Sequence, residues 1–471
     1  MREWLKYLQS TDRLAIARNN VPLKHHLAAI SKKLDGKKAV FFPSPDGHSI
    51  PVVSGFMSRR EWIAEALGVS NSDLLKAFRQ AVENPIPWLE VAKENAPCQQ
   101  ATLSEIDLQR HLPIPTHSEH DNGPYLTAGL LITRNPKTGV QNVSIHRVQV
   151  HAKDRMAILM LPRHAMTFYR MAEANDEALP VAIAIGVDPL TMLASQAITP
   201  IDHDELEIAG ALHGKPLEVV KCVTNNLRVP ANAEIIIEGH IPPKIREPEG
   251  PFGEFPKYYS SRESREVIVV DRITQRTSPI FHTIVPAEME HLLLGSIPRE
   301  ASFLGHLQRS FPNVEDVHLS MGGVGRYHLF IKFRKQREGE AKNLILCAFG
   351  AHYDIKHVVV VDSDVDVHDP QQVEWAIATR FQADKDLIVI SGAQGSVLDP
   401  STTVNAISIN NGTVPIHSQG ISSKMGLDAT KPISYQEHTF TKVRIPGEDT
   451  LKLDEEIQIN ASVDLELARI K

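Results

Sequence analysis

Apolar positions along this chain follow a helical period at first, an alternating period through the middle, and then a mixture of the two. At the N-terminus, MREWLKYLQSTDRLAIARNN places Trp4, Leu5, Leu8 and Leu14 as the apolar side of a helix over residues 1–18. A second helical pattern covers 58–84, and KKAVFFPSP between them predicts a short strand. Residues 1–95 therefore predict a small α/β unit, after which Pro85, Pro87 and Pro97 punctuate the chain. Over 96–300, β-rich runs dominate: LTAGLLITRN, VSIHRVQVHA, VAIAIGVD, LEVVKCVTN, AEIIIEGHI and EVIVVDRIT, with one helix at HAMTFYRMAEAN. So many short strands between Gly, Pro and Asn turn signals predict a barrel-like sheet. Over 301–425 the pattern is α/β again. NLILCAFGAH reads as helix or strand, QQVEWAIATRF as a helix, and KHVVVVDSDVDV and DLIVISGAQ as buried strands. Continuous apolar strands around a helix predict a parallel βαβ unit. Residues 426–471 read as a tail whose end, LDEEIQINASVDLELARIK, is weakly helical. The predicted fold class is mixed α/β.

Composition changes this picture little. The 471 residues are 42% hydrophobic and 23% charged, an ordinary globular mix. Fifty basic and 57 acidic residues give a net charge of −7, which with no basic arm argues against a nucleic-acid partner. Cys98, Cys222 and Cys347 are widely spaced and fit a reducing cytosol rather than a disulfide scaffold or metal motif. No run approaches the roughly 18 apolar residues of a membrane span, and no signal-peptide pattern precedes the first helix. A cytoplasmic location is expected.

Candidate chemistry is scattered. MGGVGRYH (321–328) has neither dinucleotide nor phosphate-loop spacing and reads as a turn. DSDVDVHDP (362–370) starts like a calcium loop but carries Val367 at position six and Val373 at position twelve, so that reading fails. NVSIHRVQVH alternates Asn142, Ser144 and His146 on one face, with Arg147 on the other. A strand this polar suits either a polar barrel lumen or a ligand site. If Asn142 and Arg147 face one ligand, the strand must bulge or end between them. His164 stands at a strand-to-helix junction, and Asp204 and Glu205 open a helix where acidic residues also suit the macrodipole. In EPEGPFGEF, Glu247, Glu249 and Glu254 crowd around a Pro-Phe-Gly bend, either as a solvated loop or as carboxylates with proton work to do.

EGPFGE, the distant NVSIHR, the run LEVVKCVTNNLRVPANAEIIIEG, VVVVDSDVDV and SSKMGLDAT together resemble the UbiD-like decarboxylases, which use prenylated FMN. The resemblance implies a split β-barrel flavin-binding domain between the N-terminal unit and a C-terminal α/β oligomerisation domain. It implies a catalytic trio on Arg147, Glu249 and Glu254. Glu254 would supply the proton that replaces CO2, and Glu249 would pair with Arg147. One positive charge between two carboxylates lets one of them hold a proton while the other stays ionised. Glu247 has no implied role and reads as solvated surface. Asn142, His164 and Glu205 are implied metal ligands, a nitrogen and oxygen set suited to Mn²⁺ or Mg²⁺. Ser144, Ile145, His146, Arg163, Ser195, Gln196 and Ala197 are implied to line the flavin and its phosphate, with K⁺ as a further cation. His352, where some relatives carry lysine, and Lys424 are implied to approach the cofactor.

A flavin prenyltransferase is the implied cofactor supplier, and a homo-oligomer, dimer or hexamer, the implied assembly. Two other classes remain open from the residues alone. One is a Mn²⁺-dependent hydrolase using the same metal ligands; the other is a non-catalytic flavin-binding protein. For substrate, EMEHLLLGSIPRE (288–300) resembles the 2,5-furandicarboxylate decarboxylases, which implies that His291 and Arg299 bind a distal carboxylate. Their spacing of eight would equally suit two exposed positions on one helix face. Pyrrole-2-carboxylate or a hydroxybenzoate is the alternative substrate.

Overall fold

The computed structural model describes residues 1–402, 406–409, 412–415, 420–435, 438–448 and 450–452, so the tail helix expected near the C-terminus lies outside the described residues. The first helix, Arg2–Ser10, is shorter than its apolar pattern. Asp12 turns to φ 57 and the chain enters a strand, Leu14–Ile16. The 58–84 pattern forms two helices, Arg60–Leu67 and Leu74–Glu83, because Gly68 at φ 72 closes the first with a left-handed cap. The N-terminal sheet runs Leu14–Ile16, Ala39–Phe42, Val52–Ser54 and then Phe281–His282. Its fourth strand comes from beyond the barrel.

The barrel sheet has ten strands. Its path is Tyr125–Leu126, Val148–Val150, Arg155–Ile158, Glu263–Gln275, Ile235–Ile241, Leu179–Ile185, Leu130–Arg134 and Gln141–Ile145, with Arg246–Glu249 and Ala101–Thr102 also paired to Glu263–Gln275. Two runs that read as single strands are each cut in two. LTAGLLITRN breaks after Leu126, and VSIHRVQVHA breaks after Ile145. In both, one half lies at each end of the path. The chain therefore crosses between the sheet's ends at residues 127–129 and 146–147, where backbone links replace ladder hydrogen bonds. This is a split barrel. Alternate residues feed separate cores: Leu130, Ile132, Ala182, Ala184 and Ile236 on one face, Leu131, Ile183, Ile237 and Ile273 on the other. Burial on both faces explains why these strands read as apolar runs.

The C-terminal sheet runs Val314–Leu319, His328–Phe333, His357–Val361, Ile421–Ala429 and Leu387–Gln394. NLILCAFGAH is helical up to Ala351, in the helix Glu340–Ala351, and Pro370–Arg380 is a helix capped by Asp369. The expected βαβ pairing is corrected in one respect. Leu387–Gln394 lies antiparallel to Ile421–Ala429 at the sheet edge, not parallel beside His357–Val361. Nor is it buried: Ile388 and Ile390 pack inward, while Val389 is 62% exposed. An apolar run does not reveal which face is covered within one chain. No helix among the described residues is long and apolar enough to cross a membrane.

Candidate active site

Arg147 occupies the seam between Gln141–Ile145 and Val148–Val150, outside either ladder. The strand ends between Asn142 and Arg147, one of the two ways in which an odd spacing can serve one site. Arg147 Nε donates to Glu249 Oε1 at 3.0 Å and Nη2 to Glu249 Oε2 at 2.7 Å. Its remaining terminal nitrogen, Nη1, meets Glu254 Oε1. The three side chains, none more than 11% exposed, thus share one buried contact. The guanidinium also lies 5.1 Å from the centre of the Phe252 ring.

The bend that brings both glutamates to one arginine is fixed at several points. Arg246–Glu249 pairs with Glu263–Gln275, then Gly250 adopts φ 87 with no space for a side chain; a Cβ there would be 2.6 Å from Ser261 O. Asp121 Oδ1 accepts from Gly253 N at 2.9 Å, and Glu254 N donates to Tyr258 O at 2.9 Å. Tyr125 was not singled out by the sequence. Its hydroxyl lies 3.1 Å from both Glu249 Oε1 and Gln149 Oε1, and Gln149 in turn accepts from Gly250 N at 3.0 Å. Burial, then the Glu249 charge, raises the phenol above its ordinary value and keeps it protonated as a donor. Glu247 is not a free surface group: it pairs with His151 Nδ1 and Arg155 Nη1, each at 2.9 Å.

A second centre forms where helices His164–Ala174 and Glu205–His213 pack on Gln141–Ile145. Asp204 caps the second helix by accepting from Leu206 N at 2.9 Å, which turns Glu205 inward. Glu205 accepts from Asn142 Nδ2 at 2.9 Å and Val143 N at 2.6 Å. Even so, burial pushes its carboxyl up to about 8 and that of Asp204 up to about 6. A carboxylate and an amide side chain supply oxygen ligands of the kind a hard cation takes, although here the Asn142 nitrogen rather than its oxygen faces Glu205. Among the described residues no three His, Cys, Asp or Glu side chains cluster as a metal site, so a metal here would need an amide such as Asn142. His164 begins its helix half-buried, with its pKa lowered by burial and then by Arg163, and makes no hydrogen bond to Asn142 or Glu205 among the described residues.

Around this centre, Ile145 pairs with Leu130 at the seam. Ser144 Oγ lies 3.0 Å from His146 Nε2, and His146 Nδ1 lies 2.9 Å from Leu159 O. A carbonyl only accepts, so Nδ1 carries the proton and Nε2 accepts from Ser144; burial lowers the pKa of this ring. Arg163 is exposed, with Nη2 3.4 Å from His352 Nε2. Ser195 ends the helix Pro189–Ala194, Gln196 Nε2 donates to Ser195 O at 3.0 Å, and Ala197 follows, packed against the core.

His291 and Arg299 lie on the helix Met289–Ser310, and neither is exposed. His291 Nδ1 accepts from Ala287 N at 3.1 Å, and burial takes its pKa down to about 3, so the ring is neutral. Arg299 Nη1 reaches Asp354 Oδ2 at 3.3 Å. His352 Nδ1 accepts from Asp354 N at 3.1 Å, and burial, then Arg299, lowers its pKa to about 4. Lys424 Nζ donates to Tyr353 O at 3.0 Å and Ile355 O at 2.5 Å, which ties down the turn that carries His352 and Asp354. MGGVGRYH does form a turn, and the turn delivers Arg326, buried, to the same region. Three glycines before an arginine were the signal that could have marked it.

Three family models match in chain order: the 3-octaprenyl-4-hydroxybenzoate carboxy-lyase N-terminal domain over 5–82, the Rift-related domain over 89–289 and the C-terminal domain over 292–429. The chain belongs to the UbiD carboxy-lyase family. It is a UbiD-type decarboxylase. The UbiD-class enzyme HmfF from Pelotomaculum thermopropionicum, solved with FMN, is 46% identical with a TM-score of 0.92 and covers 97% of this chain and 99% of its own. A 3,4-dihydroxybenzoic acid decarboxylase from Enterobacter cloacae is 29% identical with a TM-score of 0.84 over 94% of this chain and 97% of its own. An anhydromevalonate phosphate decarboxylase from Methanothermobacter thermautotrophicus is 40% identical over 82% of this chain and 87% of its own.

Proposed function

We propose that this UbiD decarboxylase uses prenylated FMN to convert furan-2,5-dicarboxylate reversibly to 2-furoate and CO2. The observation that carries the substrate is a second, separate set of buried cations. Among the described residues Arg299, part-buried on its helix, has only the 3.3 Å contact to Asp354, and Arg326 beside it contacts no carboxylate. Burying such charge without an anion is costly, and a substrate with a distal carboxylate supplies one. When bound, the modified flavin supplies the electron sink that no side chain offers. Arg147, held by Glu249, orients the departing carboxylate, and Glu254 donates the proton at the vacated carbon. Asn142, His164 and Glu205 would hold Mn²⁺ or Mg²⁺, which would supply positive charge for the flavin's phosphate, and K⁺ is a further cation of the same reading. Ser144, Ile145, His146, Arg163, Ser195, Gln196, Ala197, His352 and Lys424 form or brace the flavin cleft. The cofactor comes from a separate prenyltransferase, and the enzyme works in the cytoplasm as a homo-oligomer; the exposed Val389 and Ile421 on the C-terminal sheet support such an assembly.

The test is kcat/KM for furan-2,5-dicarboxylate against furan-2-carboxylate. Losing a buried charge-assisted partner costs about 2–5 kcal/mol, so Arg299→Ala should erase most of the wild type's diacid preference. A wild type that prefers a monoacid, pyrrole-2-carboxylate or a hydroxybenzoate included, refutes the substrate and leaves the decarboxylase standing. A second reading has a specific observation behind it: the 40% identical archaeal relative is an anhydromevalonate phosphate decarboxylase, and a cluster of guanidiniums also suits a phosphate. Higher kcat/KM for that phosphate than for the furan diacid would select it.

A further inference from the structure

On the helix Met289–Ser310, position 295 lies one turn from both His291 and Arg299, and it is glycine. A Cβ there would lie 1.5 Å from Arg326 Nη2 and 2.2 Å from its Cζ. The guanidinium of Arg326 thus packs against the helix between His291 and Arg299. It comes from a turn built for close approach: Val324 and Gly325 take φ 53 and 63, and a Cβ on Gly323 would lie 2.4 Å from His328 Cβ.

Arg326 Nη1 donates to Gly325 O at 2.9 Å and Leu292 O at 3.3 Å. Nε and Nη2 have no hydrogen-bond partner among the described residues. Arginines that serve the core of this chain are held differently: Arg60 Nη1 meets Glu300 at 2.5 Å, and Arg380 meets Asp362 and Asp364 at 2.8 Å each. Asp354 is a carboxylate within electrostatic reach of Arg326, and Arg299 already contacts it. Among the described residues the two guanidiniums therefore lean on the same carboxylate.

The same guanidinium lies 5.4 Å from the centre of the Phe255 ring, which meets Tyr327 edge-on at 5.5 Å. Phe255 follows Glu254, and on the other side of Glu254 the Phe252 ring lies under Arg147. The acid is bracketed by two arginine–aromatic contacts.

We propose that Arg326 is a specificity-determining and positioning residue: it completes, between His291 and Arg299, a cradle for the substrate's distal carboxylate, and through Phe255 it ties that cradle to the placement of Glu254. The assignment rests on the distal-anion reading above. A substrate with two carboxylates engages both ends of this connection; a monoacid leaves the cradle end empty.

The experiment uses the prenylated-FMN enzyme with furan-2,5-dicarboxylate and furan-2-carboxylate. Arg326→Met should raise KM for the diacid about 10²-fold and leave KM for the monoacid unchanged. It should lower kcat for both about tenfold, as expected when an acid is misplaced. Arg326→Lys should restore part of both losses. Gly295→Ala keeps the guanidinium but takes its space and should raise diacid KM similarly. Phe255→Leu should lower kcat without changing diacid KM. Calorimetric binding of the diacid to flavin-free protein should weaken about 10²-fold in Arg326→Met and Gly295→Ala, and not in Phe255→Leu. If Arg326→Met fails to fold, the other two variants carry the test. Wild-type diacid KM and affinity in Arg326→Met or Gly295→Ala, with the preference lost in Arg299→Ala, overturns this assignment alone. No diacid preference in the wild type overturns the distal-anion reading and this assignment with it.

Discussion

Glu249 and Glu254 contact the same guanidinium, yet the same substitution should affect them differently. Glu249 is 1% exposed and accepts two bonds from Arg147, at 3.0 and 2.7 Å, besides its contact with Tyr125. Hydrogen bonds to charged groups contribute about 1.5–3 kcal/mol each. Glu249→Gln keeps one acceptor oxygen but loses the charge and half the fork, so a stability loss of about 2–4 kcal/mol is expected. Glu254 is 11% exposed and meets Arg147 through one nitrogen. Glu254→Gln keeps an acceptor there and should cost about 1 kcal/mol or less. Turnover should reverse the order of severity, because an amide cannot deliver a proton and loss of a general acid costs about 10²–10⁴-fold. The assay is single-turnover CO2 release by variants matched for visible flavin absorbance, with the urea midpoint and amide exchange of residues 249–258 measured alongside. Glu254→Gln should fold and load normally and turn over at 1% of wild type or below. Wild-type kcat in the loaded Glu254→Gln enzyme would refute Glu254 as the proton donor. A Glu249→Gln enzyme as stable as wild type would refute the stability argument.

His164→Ala and Glu205→Ala should fold but purify colourless and inactive; normal metal content by plasma emission in both means that the ligands are wrongly named. Glu300 is buried, and burial alone would raise its pKa, but Arg60 and His318 outweigh burial and hold it at about 2 against an ordinary 4.5. A depressed carboxyl stabilises the fold above the unfolded value, so this contribution is complete above pH 4.5 and is lost as pH falls toward 2. Glu300→Gln should lower stability at pH 7 by about 3 kcal/mol and remove that part of the acid sensitivity, read from urea midpoints between pH 7 and 3; an unchanged midpoint at pH 7 would count against it.

What could be read from the sequence was the chemistry more than its placement. Arg147, Glu249 and Glu254 stand out because charged residues interrupt an apolar alternation or crowd a bend, and the structure brings them together. The seam that exposes Arg147 was visible only as an inconsistency, an odd spacing that a continuous strand could not accommodate. Its cause, two chain crossings between the ends of one sheet, is tertiary and leaves no local pattern. Arg326 was hidden for a different reason: its turn chemistry was legible, but what a turn presents depends on the helix opposite it, here on the absence of a side chain at Gly295. The edge position of Leu387–Gln394 could not be read either, since an apolar run has the same composition whether its second face meets the same chain or something else.

The strand Phe281–His282 that closes the N-terminal sheet bears on how the protein is made. Val52–Ser54 pairs with Phe281–His282, Gly55 N and Met57 N donate to Glu290 at 2.7 and 3.1 Å, and Arg60 pairs with Glu300. All of these partners leave the ribosome after the whole barrel has been synthesised. During synthesis the first 95 residues therefore wait with an open strand edge and with Arg60 lacking its carboxylate, while the segment behind them folds. Translation order and folding order differ here: the part of the polypeptide made first is completed only after the barrel made behind it.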